Sequence, residues 1–502
     1  MHKPLPTIIQ ALLEPDRYPN PAQRVELIET HASWLLLAGE FAYKIKKPIT
    51  LPFLDYGTLE KRRACCEAEL RLNRRFAPDL YLDVVAISGT PENPRFNDAR
   101  FNDEGAPIEF AVKMHRFDEA GRLDLVCARG ELEPMHVSAL ADAIVAFHRN
   151  AATAPVQTRF GSPSKVLALM LENFKELQTL LSDEECCSKL DALLTWVHSE
   201  FNRLAPYFAA RKAEGYVREC HGDLHLGNLV LIDRRVMLFD CIEFNEDFRW
   251  IDIANDIAFT YVDLLDHRQP GLAGWLLNEW LSGIGDYGAM PVLRFYAIYR
   301  TLVRAKVAAI RAGQDQGDIS ETREYIGLAE RLASPPKPRL TITHGLAGCG
   351  KTTASSRLLQ SDTNAFTIRL RSDVERKRLF GLAATAKSNS PLDAGIYGQE
   401  AHLLTYRRLQ DLAKQLLEAG WSVIVDAAFL KRTERATFRA LATLTKAEFR
   451  ILAPQVSPEQ LRARIVARLE QGHDASEATL NVLELQMASI EPLDADERNC
   501  LL

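Results

Sequence analysis

The hydrophobic pattern changes period several times along the chain, and those changes mark its elements. Residues 1–30 hold two short amphipathic stretches broken at Pro15 and at Pro19-Asn20-Pro21, so a helical N-terminal segment is expected, running on through Val25-Glu26-Leu27-Ile28. Ser33-Trp34-Leu35-Leu36-Leu37, a turn at Gly39-Glu40 and Phe41-Ala42-Tyr43-Lys44-Ile45-Lys46 form a hairpin pattern. The period then becomes helical from Leu59 to about Phe76. Strands are expected at Asp83–Ile87 and Ile108–Met114, around the polar stretch Pro91–Asn102. Helical spacing dominates from Pro134 to about Leu204 and returns at Arg294–Ala312 and Glu321–Ala333. Between these runs, two short apolar strands, Leu229–Ile232 and Val236–Phe239, flank a polar loop. Ser334-Pro335-Pro336-Lys337-Pro338 is a stiff joint. Beyond it, the apolar run of Trp421–Val425 is that of a parallel strand buried on both faces.

A chain of 502 residues is too long for one core, at about 100–200 residues per domain. The joint divides it into an expected domain at 1–333, a linker at 334–338 and a second domain at 339–502. The 47% hydrophobic and 25% charged content is ordinary for a soluble globular protein. A net charge of −6 gives no general attraction to nucleic acid or to an anionic membrane. No apolar run reaches the roughly 18 residues a membrane span needs, and the N-terminus lacks a signal-peptide core. Nine cysteines without a CxxC spacing are those of reduced thiols, so a cytoplasmic setting is expected.

The polar loop carries the first chemistry. His221-Gly222-Asp223-Leu224-His225-Leu226-Gly227-Asn228 places a carboxylate, an amide five residues later and, after the next strand, Asp240. Transfer of a phosphoryl group from a Mg-nucleotide needs such a set: Asp223 to orient or accept the proton of an acceptor hydroxyl, Asn228 and Asp240 to hold Mg²⁺. Lys44, with Ala42 on the same strand face, is the candidate to reach the phosphates, and Lys46 is its fallback. Glu69 on the following helix is preferred over Glu67 as the partner of that lysine. No glycine-rich turn covers the phosphates; the corresponding turn is Thr30-His31-Ala32-Ser33. Ala111–Phe117 is the expected adenine-contacting segment, Glu243 is a possible addition to the metal shell, and Asp252 and Asp256 are expected to anchor the loop.

The second set follows the joint. Strand Arg339–His344 runs into Gly345-Leu346-Ala347-Gly348-Cys349-Gly350-Lys351-Thr352-Thr353, the phosphate loop G-x-x-x-x-G-K-[ST]. Gly345, Gly348 and Gly350 let backbone N–H groups close on phosphate oxygens. Lys351 reaches the β and γ oxygens, and Thr352, followed by Thr353, holds Mg²⁺. Asp373, with Arg376 three residues on, is the candidate for the acceptor hydroxyl. Asp426, at the end of a buried strand, is placed to act on the metal or to hold substrate. Arg464 and Arg468, with Arg462, are candidates to clamp the transferring group.

The wording HGDLHLGN resembles the aminoglycoside phosphotransferase (choline-kinase-like) family, and its H-x-D-x-x-x-x-N spacing equals that of the protein-kinase catalytic loop. From THASWLLLAGEFAYKIKKP through HGDLHLGN to GLAGCGKTT, the whole chain resembles bifunctional aminoglycoside phosphotransferase/ATP-binding proteins. The resemblance implies a two-domain α/β protein: a two-lobed, protein-kinase-like α+β domain followed by a P-loop NTPase α/β/α domain with a parallel sheet. It implies ATP and Mg²⁺ as cofactors and small-molecule hydroxyls as acceptors. A regulatory, ATP-sensing first domain is the alternative. A polynucleotide 5′-hydroxyl is a less favoured acceptor; Arg369, Arg371, Arg376 and Arg378 speak for it and the net charge against it.

Overall fold

The computed structural model describes all residues except 1–3, 21, 52–53, 97–104, 316, 385, 387–394 and 472–478. Part of the expected turn Pro91–Asn102 therefore lies outside the described residues. The chain forms two compact units. One comprises residues 1–132, 146–166 and 209–260, and the other residues 133–145, 167–208 and 261–502.

The first unit is built on an antiparallel sheet. Its strands are β1 (Val25–Glu29), β2 (Ser33–Ala38), β3 (Phe41–Lys46), β6 (Tyr81–Thr90), β7 (Asn93–Phe96) and β8 (Glu109–His115), in the order β1-β2-β3-β8-β6-β7. A two-stranded ribbon, β4 (Thr50–Leu51) and β5 (Leu54–Asp55), follows β3. The N-terminal segment is helical only at Thr7–Ala11, with a 3₁₀ turn at Pro15–Arg17. Val25–Glu29 is a strand, because its register sets Val25 against Ala38 and Leu27 against Leu36.

Alternation along β3 sends Tyr43 and Ile45 into a cluster with Ile9, Leu12, Tyr18 and Phe96. The opposite face packs Ala42 with Cys66 of helix Leu59–Asn73 and with Leu80, Tyr81 and Val112. Lys44 and Lys46 are on that second face, and β3 is central in the sheet, paired on both sides. Below it lie the ribbon of β9 (Val217–Glu219) with β12 (Trp250–Asp252), and the hairpin of β10 (Leu229–Ile232) with β11 (Arg235–Leu238). The hairpin turns on Asp233 and Arg234, both at positive φ (47° and 65°), as a two-residue type I′ turn requires.

The second unit joins helices to a four-stranded parallel sheet: β13 (Arg339–Thr343), β14 (Thr367–Arg371), β15 (Ser422–Asp426) and β16 (Glu448–Leu452), in the order β14-β15-β13-β16. Sheet position explains the strand sequences. Central β13 and β15 read Leu340-Thr341-Ile342 and Val423-Ile424-Val425, all buried. The edge strand β14 is closed by helix Pro270–Ile284. The Asn278 side chain donates to the Thr367 carbonyl (2.9 Å) and accepts the Arg369 N–H (2.6 Å), doing for an exposed edge what a fifth strand would. The helix approaches closely: a Cβ at Gly271 would lie 2.3 Å from the Gln360 carbonyl oxygen. Trp421 sends its indole N–H to the Met290 carbonyl (3.0 Å), and Arg294 stacks over Trp421 and Phe366.

Asn278→Ala leaves the buried Arg369 N–H without a partner, at a cost of about 1–3 kcal/mol, and frees the half-buried Thr367 carbonyl. Chemical denaturation of the full-length variant should show its midpoint shifted to lower denaturant. An unchanged midpoint would mean that water replaces the amide at that edge.

Candidate functional site

In the first unit, the loop after β9 is held from behind by a carboxylate. Asp256, fully buried near the start of helix Ile253–Asp266, accepts the backbone N–H of His221 (3.1 Å) and of Gly222 (2.9 Å) and lies 3.2 Å from His148 Nε2. Burial would raise the Asp256 carboxyl. His148, His221 and the Gly222 N–H overcome it and lower it to about 2. Gly222 has φ +84°, and a Cβ there would sit 2.6 Å from the Phe248 carbonyl oxygen, so the tight turn admits only glycine. Asp252, ion-paired to Arg211 (2.7 Å), caps the same helix through the Ala254 N–H. Both acids of the D-x-x-x-D pattern therefore anchor structure.

The loop presents Asp223 and Asn228 together. Asn228 Nδ2 donates to the Asp223 carbonyl (2.9 Å) and carboxylate (3.0 Å), and His225 Nε2 lies 3.4 Å from that carboxylate. The Phe239 N–H donates to the Asn228 carbonyl (3.0 Å), which brings Asp240 beside the pair. Asp240 holds a φ of 62°, a sparsely populated conformation for a non-glycine residue, with its N–H on the Tyr81 hydroxyl (3.0 Å). The following Cys241 N–H goes to Asn73 Oδ1 (3.0 Å).

Lys44 reaches Glu69 (2.9 Å) and Asp240, while Glu67 turns outward to Arg63 (2.8 Å). Burial would lower the Lys44 ammonium, but Asp240 and Glu69 hold it well above the ordinary lysine range. Lys46 does not stand in for Lys44. It bridges Glu69 and Glu243, and Glu243 also takes the Tyr56 hydroxyl, so Glu243 is engaged by protein donors. The turn at Thr30–Ser33 is closed by Thr30 and Ser33 themselves, with Thr30 Oγ1 accepting the Ser33 N–H (3.0 Å).

In the second unit, the phosphate loop joins β13 to helix Lys351–Gln360. Gly345, Gly348 and Gly350 all take positive φ (143°, 81° and 89°), and Gly350 caps the helix without a side chain. The first-turn N–H groups thus face a cavity of about 1050 Å³ lined by Lys351, Thr352 and Thr353. Lys351 folds over its own loop onto the Gly345 (2.9 Å) and Leu346 (2.8 Å) carbonyls. Asp426, at the end of β15, accepts the Ser355 hydroxyl (3.2 Å) and opens onto the cavity. Asp373, on helix Ser372–Leu379, lines it too, with Arg376 at 3.4 Å. Arg464 reaches the Gly348 carbonyl (3.5 Å), whereas Arg462 pairs with Glu484 (2.9 Å). The Arg468 side chain lies outside the described residues.

Three features had no signature in the spacing of residues. The Lys46–Glu243–Tyr56 group is one. Gln486 is another, accepting the Ala347 N–H of the phosphate loop (2.7 Å). The third is His402, bonded to Glu434 (2.7 Å) on the cavity wall. Each joins residues far apart in sequence, so only the fold reveals them.

The chain thus joins a unit built on an antiparallel sheet, which carries the Asp223 loop, to one with a parallel sheet and a phosphate loop. Residues 340–493 match the family model described as an AAA domain. An uncharacterized protein of Mycobacterium tuberculosis (strain ATCC 25618 / H37Rv) is 28% identical over 457 residues, covering 90% of this chain and 88% of its own length. Among solved structures, a choline/ethanolamine kinase family protein from Mesorhizobium loti aligns at TM-score 0.41 and 12% identity, over 64% of this chain and 90% of its own. An aminoglycoside phosphotransferase from Alicyclobacillus acidocaldarius aligns at TM-score 0.35 and 13% identity, over 63% and 94%.

The buried imidazole of His221 makes stability depend on pH. Burial lowers its pKa, against the pull of Asp256 and Asp223, so the unfolded chain binds a proton near pH 6.5 and the folded chain only below that. Its contribution is complete above about pH 6.5 and is lost as pH falls toward the depressed folded value. Thermal denaturation should give a lower midpoint at pH 5.5 than at pH 7.5, with a smaller difference in His221→Asn. Equal slopes in the two proteins would remove His221 as the cause.

Proposed function

We propose that the chain is an ATP-dependent phosphotransferase with two nucleotide sites, one in the kinase-like domain at 1–333 and one in the P-loop domain at 339–502. Both act on hydroxyl groups of small molecules. The reading carries a cytoplasmic setting with it; no helix of the described residues is long and apolar enough to cross a membrane.

The observation that carries the first site is the joint placement of Asp223, Asn228, Asp240 and Lys44 around one loop and one strand. Asp223 accepts the proton of the acceptor hydroxyl as its oxygen attacks the γ-phosphorus. The bond from that phosphorus to the β–γ bridging oxygen breaks, giving a phosphoester and ADP. Asn228 holds Asp223 through its amide N–H, which leaves its Oδ1 with the Asp240 carboxylate as an all-oxygen pair suited to Mg²⁺. When bound, that ion neutralises charge on the phosphates. Lys44 is kept cationic by its acidic neighbours and serves the phosphates.

In the second site, Lys351 and the loop N–H groups take the β and γ phosphates, with Thr352 and Asp426 as the metal-side oxygens. Asp373 faces the acceptor, and Arg464 faces the transferring group. The glycine-free turn at Thr30–Ser33 favours a second reading, in which the first domain binds ATP as a sensor and the P-loop domain alone transfers phosphate.

The test follows γ-labelled ATP into a pooled polar-metabolite extract. Asp223→Ala should lower transfer at the first site by about 10²–10⁴-fold while nucleotide still binds, and Lys351→Ala should remove a different product. A single product lost only in Lys351→Ala would establish the sensor reading. Turnover indifferent to both changes would overturn the site assignments.

A further inference from the structure

The P-loop cavity has two chemically different walls. At the phosphate loop, Ala347 and Cys349 pack with Leu461, Ile465 and Leu483, and Val456 and Val482 extend that apolar lining. Beyond Asp373 the wall is polar and is built from Arg376, Tyr397, His402, Tyr406 and Glu434. These groups are contiguous. Arg376 pairs with Asp373 and lies over the Tyr397 ring (5.0 Å). The His402 ring lies tilted against Tyr406 (4.5 Å), which in turn feels the charges of Glu434, Arg376 and Asp373.

Glu434 fixes the orientation of His402. One carboxylate oxygen sits 2.7 Å from His402 Nε2 and the other takes the Lys431 backbone N–H (3.3 Å), so the acid is immobilised at both ends. With Nε2 engaged by the carboxylate, Nδ1 is the ring nitrogen left for a ligand. Among the described residues, none donates to Nδ1. The wall thus lines the cavity with three polar groups, the His402 imidazole, the Asp373 carboxylate and the Arg376 guanidinium. A ligand with one hydroxyl satisfies one of these. A ligand with several adjacent hydroxyls satisfies all of them.

The same wall offers little to a polynucleotide. The Tyr397 and Tyr406 rings each have a face already covered, by Arg376 and by His402, and single-stranded nucleic acid is held largely by stacking on open rings. Two of the four arginines of this region point into structure. Arg369 is bonded to Ser356 (2.6 Å) and stacked on Trp275, and Arg378 is bonded to the Ser282 carbonyl (2.6 Å).

We propose that His402, oriented by Glu434, binds a second hydroxyl of a small polyhydroxylated acceptor whose reacting hydroxyl lies at Asp373. The proposal rests on the P-loop site being a kinase.

The test uses the full-length Asp223→Ala protein, so that any product belongs to the P-loop site, with glycerol, glucose, gluconate and a 5′-hydroxyl oligonucleotide as probes beside the metabolite extract. Phosphate should enter a polyhydroxylated compound and not the oligonucleotide. His402→Leu should raise the acceptor KM at least tenfold, with the KM for ATP moving far less. His402→Asn, whose amide oxygen can stand where Nδ1 stood, should recover most of that loss. Transfer to the oligonucleotide in preference, or an acceptor KM unchanged in His402→Leu, would overturn the proposal. If no nucleotide turnover depends on Lys351, the kinase reading itself falls, and the proposal with it.

Discussion

Three carboxylates buried completely from water set the geometry of both units: Asp256, Glu69 and Glu375. A desolvated carboxylate costs several kcal/mol unless donors surround it, so whatever supplies those donors becomes fixed in place. Asp256 is satisfied by two backbone N–H groups of the loop that carries Asp223, together with His148. Glu69 is satisfied by Lys44 and Lys46, which ties helix Leu59–Asn73 to the centre of the sheet. Glu375 receives the Tyr287 hydroxyl (3.0 Å) and Arg408 (2.7 Å), is ion-paired with Arg378 (3.3 Å), and lies on the same helix as Asp373 and Arg376. Asp256 thus fixes the backbone just ahead of Asp223, Glu69 fixes the Lys44 ammonium itself, and Glu375 fixes the helix two residues on from Asp373. Loops and short helices are mobile by default. These are held because moving them would strand a charge.

Much of this was legible in the sequence, for physical reasons. Alternation along Phe41–Lys46 put Ala42, Lys44 and Lys46 on one face, and the sheet keeps them there. The loop HGDLHLGN was bounded by apolar runs that pair as the β10–β11 hairpin. The phosphate loop combined glycines with a strand before and a helix after, and all three glycines take the left-handed backbone that spacing implies. In each of these stretches the local sequence and its final surroundings agree.

The illegible parts are those in which one residue's role depends on another far away. Val25–Glu29 has too few residues to separate strand from helix by period, and only the Leu36 and Ala38 side of β2 decides it. Lys46 and Glu243 are 197 positions apart, and nothing local distinguishes a lysine that anchors a helix from one that touches phosphate. His402 and Glu434 stand on different helices, and Glu434, in the first turn of its own, bonds back to the N–H of the residue ahead of that helix. Residues of this kind gain meaning from a partner, and a single sequence shows no partners.

The Pro-rich joint illustrates the same limit at the scale of the whole second unit. By composition it is the clearest boundary in the chain, yet Tyr261–Leu502 packs as part of one compact unit. The helices ahead of the joint supply Asn278 to the β14 edge, the Met290 carbonyl to the Trp421 indole and the Tyr287 hydroxyl to Glu375. They also bury Leu276, Leu277 and Trp280. A chain cut at Ser334–Pro338 would leave the Trp421 indole N–H without its acceptor, the edge of β14 open and the carboxylate behind Asp373 short of a donor. A stiff proline-rich segment can therefore separate two sequence signatures without separating two compact units. Proline content reports the local stiffness of the backbone, while the extent of a core is decided by which buried polar groups find each other.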